Sequence, residues 1–152
     1  MTYIVSYQKH IDTLHTIEIN LPTDESGQSI GTELATIEGV TYVSLPDSAL
    51  LSAQQPAEIS GSIINPVTLT PELRSTLRNT SPHLKLISRR MIEKIRGGYS
   101  IDDEMFFSRI GVGAAAGLYE PTADEMQEMT VFGEFAEAVR EWGRIERAKL
   151  LP

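Results

Sequence analysis

The sequence predicts an α+β protein, with a small antiparallel β-rich part over residues 1–66 and a helical part over residues 70–152. Three observations carry this expectation. Short runs rich in β-branched and aromatic residues, broken by Pro, Gly and Asp, occupy the first half. Helix-start signals, a capping hydroxyl with acids in the first turn, open apolar-periodic segments from residue 70 onward. Behind those signals, apolar residues return at steps of three and four.

Thr2–Tyr7 (TYIVSY) reads as the first strand. In HTIEINL, Ile17, Ile19 and Leu21 alternate with polar neighbours, which predicts a second strand with one face inward. LPTDESGQS is a loop by composition. Glu33–Ile37 and Val40–Leu45 flank Glu38-Gly39, a hairpin turn in which glycine accepts a positive φ. Pro46 ends the second arm, because it cannot donate to a ladder. Asp47 is placed to cap a short turn or helix over residues 48–54, which Pro56 stops. Residues 57–70 read as an extended connection, with Ile59, Ile63 and Ile64 available to dock on the sheet. Four or five short strands need a cover for their apolar face. The two parts are compatible with one shared core or with two.

Thr70-Pro71-Glu72 opens the first helix with a cap, a proline at the first position and an acid in the first turn. Asn79-Thr80-Ser81-Pro82 interrupts it and starts the next. Leu84, Ile87, Met91 and Ile95, with Ile92 beside them, make an apolar stripe. Lys94 and Arg96 suit the negative end of that helix, and Gly97-Gly98 is expected to supply a left-handed closing residue. Ser100 and Asp103 form a capping-box pair, so the chain turns a corner and restarts as a helix whose inward side is Met105, Phe106 and Ile110. Gly111, Gly113 and Gly117 are spaced one residue too widely for a dinucleotide loop and follow a helix where that loop follows a strand. They predict close helix approach or a turn. Thr122-Ala-Asp-Glu125 is a further capping box, opening a long helix over about residues 123–149. Its stripe is Met126, Met129, Phe132, Phe135, Val139, Trp142 and Ile145, weakened at Gly133 and Gly143.

Composition narrows the function. The chain has 152 residues, 41% of them hydrophobic, no cysteine, and a net charge of −8. Disulfides and thiolate chemistry are therefore excluded. No window approaches the roughly 18 apolar residues of a membrane span, and MTYIVSYQKH lacks the basic start and apolar run of a secretory signal. Lys9 is the one base among the first 70 residues, which hold eight acids, so nucleic acid is not an expected partner there. Arg74, Arg78, Lys85, Arg89, Arg90, Lys94 and Arg96 form a basic stretch without interleaved aromatics, best read as a solvated face.

Catalysis finds little support. The three histidines are His10, His15 and His83. His10, Asp12 and His15 are close in sequence and give the one enzyme alternative, a small metal-dependent hydrolase. Asp102, Asp103 and Glu104 match a helix dipole better than a metal. No cofactor or metal is expected. The aromatic stripe Phe132, Phe135, Val139 and Trp142 is instead the candidate for partner binding, beside its plainer reading as core.

The segments LTPELRSTLRNTSPHLKLISRRMIEKIRGGYSIDDEMFFSR and FAEAVREWGRIERAKL, with the leader GTELATIEGVTYVSLPD, resemble small proteins encoded near the tail-fibre and baseplate genes of tailed bacteriophages. The similarity covers most of residues 30–149. It implies a non-enzymatic role, as a minor structural protein at the fibre or baseplate or as a tail-fibre assembly chaperone. The implied partners are other phage tail proteins or further copies of the chain, in the virion or in the host cytoplasm during assembly. An edge strand pairing with a partner strand, or a helix in a partner's groove, would serve such a role.

Overall fold

Alternation in the first residues becomes strand β1 (Thr2–Tyr7), followed by the hairpin β2 (Thr32–Ile37) and β3 (Val40–Pro46) and the short β4 (Asn65–Val67). Helices α1 (Pro71–Thr80), α2 (Pro82–Gly98), α3 (Ile101–Ala115) and α4 (Ala123–Leu150) complete the α+β fold. These elements come from a computed structural model, which describes residues 1–59 and 64–152. Ile63, expected to dock on the sheet, lies outside the described residues.

Contacts along the backbone divide the chain into two compact units, Met1–Leu86 with Glu146–Pro152, and Ile87–Ile145. The sequence division at residues 66–70 separates element types. The compact units divide instead within α2 and within α4.

In the first unit the strands form an antiparallel sheet in the order β2-β3-β1-β4. Val5 pairs with Val43 and Tyr3 with Leu45, so their side chains share one face. That face carries the core of Val5, Tyr7, Val43 and Leu45, joined by Ile19 and Ile59 from the connections. The opposite face is also covered, since Ile4 and Ser44 are buried and α1 packs on β2. The hairpin turn is of the type the twist of two strands favours, with Glu38 at φ 51° and Gly39 at φ 82°. Both sheet edges disfavour a further strand. β2 carries a bulge between Glu33 and Ala35, and β4 has three residues with Pro66 in the middle.

One expectation for this unit is corrected, and another narrows from a turn or helix to a turn. Residues 17–21 form no ladder, although Ile19 is buried and Ile17 and Leu21 are half-buried as the alternation requires. Ile17 N–H donates to Lys9 O at 2.8 Å, and a side chain serves Asn20: its N–H donates to Gln55 Oε1 at 2.8 Å and Gln55 Nε2 donates back to Asn20 O at 3.1 Å. The glutamine amide does there what a neighbouring strand would do. Residues 48–54 form no helix; Ala49 N–H closes a turn onto Pro46 O, and Tyr3 Oη anchors the segment by donating to Ala49 O. Lys9 is mostly buried and bridges Glu33 at 2.8 Å and Glu18 at 3.0 Å, so the single base of this region joins two segments. Its hydrogen bond to Glu33 raises the ammonium pKa well above the ordinary lysine range.

The second unit is helical, and its corners are read from local signals. Ser100 Oγ accepts from Asp103 N–H while Asp103 accepts from Ser100 N–H, and Thr122 and Glu125 repeat the exchange at the start of α4. The hydrogen bonds from Ser100 hold the Asp103 carboxyl below its usual range, and those from Thr122 and Tyr119 do the same for Glu125. α3 ends in a paired closure: Leu118 N–H reaches Gly113 O and Gly117 N–H reaches Ala114 O, with Gly117 at φ 69°.

Gly97 and Gly98 do not close α2 in the left-handed region. The helix runs through both, and neither has a positive φ. Space is tight at Gly98, since a Cβ there would lie 3.3 Å from Phe135 Cζ. Gly143 is tighter still, for a Cβ would fall inside the radius of Met91 Sδ and 2.9 Å from its Cε. Gly133, also within α4, has nothing within 4 Å. Two alanine substitutions in one helix should therefore act in opposite directions. Gly133→Ala should stabilise by about 1 kcal/mol through helix propensity. Gly143→Ala should destabilise by about 1–2 kcal/mol, overpacking outweighing the same propensity gain. Urea unfolding of both variants measures the difference.

Candidate interaction surface

Tyr99, at the corner after α2, sits among the rings of the second unit. Its centroid lies 4.9 Å from that of Phe132, 5.4 Å from Phe135 and 6.1 Å from Phe107. Phe107 stacks on Phe132 at 5.2 Å. Val139 is buried, and Trp142 is half-buried with the Lys94 ammonium 4.8 Å above its ring. The four candidate partner residues, Phe132, Phe135, Val139 and Trp142, are thus engaged inside their own unit. Val139, 6% exposed, offers a partner no surface.

α3 turns Ile110 inward as expected, but with Phe107 in place of Met105 and Phe106. Phe107 and Ile110 are buried, while Met105 is 59% and Phe106 42% exposed. Ring packing on Phe132 sets the rotation, and α3 is apolar on several sides, so its own pattern does not choose. The result is an outer surface in two parts. Ile101, Glu104, Met105, Ser108, Arg109 and Val112 line an open groove of about 570 Å³ along the helix. Phe106, Arg109, Ile110, Gly113 and Tyr119 line a second hollow of about 320 Å³ at the turn into α4. A Cβ on Gly113 would lie 3.1 Å from Tyr119 Cβ, so glycine lets that ring settle against the helix. Tyr119 Oη donates to Glu125, which holds the ring and raises its phenol pKa. Leu118, beside it, is almost fully exposed. A run of glycines at residues 111–117 signals close packing, but no sequence signal marks the outer side of α3.

The histidine candidates form a small exposed loop. Asp12 accepts the backbone N–H groups of Leu14 and His15 and contacts His15 Nδ1 at 2.7 Å, while His10 pairs with Thr16 across the loop base. The hydrogen bond from Leu14 is the main reason the Asp12 carboxyl lies below its ordinary range. Asp12 therefore serves as the loop's internal cap. Among the described residues, no three of His, Cys, Asp or Glu are grouped to hold a metal ion. Asp102, Asp103 and Glu104 are occupied differently: Asp103 caps, Glu104 pairs with Arg96 at 2.7 Å, and Asp102 is exposed. Among the described residues, no helix is long and apolar enough to cross a membrane.

No protein-family model matches the chain, and no curated protein and no solved structure matches it.

Proposed function

We propose that the chain is a non-enzymatic, protein-binding component of a bacteriophage tail, either a minor structural protein at the fibre or baseplate or a tail-fibre assembly chaperone. The observation that carries the binding role is the hollow formed by Phe106, Ile110, Gly113 and Tyr119, with Leu118 exposed at its side. Exposed aromatic side chains around an apolar hollow suit the anchor of a partner polypeptide. One charged group, Arg109, lines it, so it offers no acid–base pair for catalysis. The assignment to a tail rests on the resemblance of residues 30–149 to tail-associated proteins. The occupant is an apolar or aromatic segment of a fibre or baseplate protein.

Co-expression with the fibre and baseplate proteins of a tail gene cluster, followed by size-exclusion chromatography, tests this. A stable complex is expected, lost on Phe106→Ala with Tyr119→Ala while the variant's own melting is retained. If the chain co-elutes with none of them, the proposal fails.

A further inference from the structure

Along α3, Ile101, Met105, Ser108, Val112 and Ala115 follow one another at steps of four, three, four and three, the spacing of a two-helix seam. All five are exposed, and Ile101, Met105 and Val112 are 59%, 59% and 70% so. A helix apolar on this side as well as on its Phe107–Ile110 side is one built to be covered twice. The seam has a property that selects its cover. Turned end for end about a point between Phe106 and Phe107, it sets Ile101 opposite Val112 of the other copy, apolar on apolar, and Met105 opposite the small Ser108. On the flank beside that seam, Arg109 then comes within two residues, about 3 Å along the axis, of Asp102 of the other copy, and two-fold symmetry makes the pair twice. Within one chain, neither Arg109 nor Asp102 has an ion-pair partner among the described residues. A parallel pairing would instead set each of these charges beside its own copy.

The geometry points to a second copy of this chain as the occupant of the α3 seam, in an antiparallel, two-fold symmetric helix pair. The 15 residues of α3 span about 22 Å, so the contact is at the small end for a stable dimer and the association should be weak. This deepens the reading of α3 as a binding helix but uses a different side from the Phe106–Tyr119 hollow.

Sedimentation of the full chain over about 1 μM to 1 mM, the affinity range of a small interface, tests it. A reversible monomer–dimer equilibrium is expected. Met105→Glu or Val112→Glu should weaken it at least about tenfold, since each leaves a charge in an apolar seam. Both sites are exposed, so thermal melting of the dilute monomer should be unchanged. Arg109→Asp alone and Asp102→Arg alone should each weaken the dimer, and the double reversal should restore it. A chain monomeric at every concentration overturns the inference, as does a dimer indifferent to Met105→Glu and Val112→Glu. Failure of the double reversal to restore association overturns the antiparallel register, and with it the proposal. A monomer that binds a tail protein through Met105 and Val112 overturns it too, while leaving the proposed function standing. A dimer that binds no tail protein does the reverse.

Discussion

Phe107→Ala should cost about 3–5 kcal/mol, the range for deleting a buried ring, whereas Phe106→Ala, one residue earlier, should cost under about 1 kcal/mol. The difference follows from rotation about the axis of α3. Phe107 is 9% exposed, stacks on Phe132 and meets Tyr99 edge-on, while Phe106 is 42% exposed. Denaturant unfolding of both variants gives the two numbers. Should the two compact units unfold in separate steps, the loss belongs to the step of Ile87–Ile145. The stacked pair should also show coupling: the Phe107→Ala, Phe132→Ala double variant should lose about 0.5–1.5 kcal/mol less than the sum of the single losses. Equal costs at Phe106 and Phe107 would place the helix at a different rotation and remove the basis for the exposed seam.

That rotation is what the sequence leaves undetermined. Capping boxes at Ser100 and Thr122 are local chemistry, complete within four residues, and both form as read. The Glu38-Gly39 turn is legible for the same reason. The inward side of α3 depends on Phe132, 25 positions away, and on a helix with apolar residues at 101, 105, 106, 107, 110 and 112, whose pattern points several ways. Spacing equally cannot tell core from interface: Phe132, Phe135, Val139 and Trp142 are engaged in their own unit, while Met105 and Val112 on α3 and Met126, Val131 and Ile145 on α4 are exposed. Gly97-Gly98 shows a third kind of limit. Glycine reads as a helix stop, but Gly98 lies close against the Phe135 ring, a contact between residues 37 positions apart. In residues 17–21 the alternation correctly orients Ile19 inward, yet the missing ladder depends on Gln55, which no local pattern pairs with Asn20.

Gly31→Ala should destabilise the first unit by about 2–4 kcal/mol, adding backbone strain to overpacking. Gly31 sits just before β2 with φ 127°, a conformation that side-chain-bearing residues rarely adopt. A Cβ there would also lie 2.9 Å from Leu45 Cδ2 and 3.3 Å from both Leu21 Cδ2 and Ser44 O. Leu45 is fully buried in the sheet core, so it has little room to yield. Gly27 supplies the control. Its φ is 82°, in open space, so Gly27→Ala carries only the conformational term of about 1 kcal/mol. The excess at Gly31 is then the packing term, and thermal unfolding of the two variants measures it. Adding Leu45→Val to Gly31→Ala should lose less than the two single losses together, because valine withdraws the atom nearest the new methyl. Strict additivity would mean that the cost at Gly31 is set by φ alone and that Leu45 does not press on it.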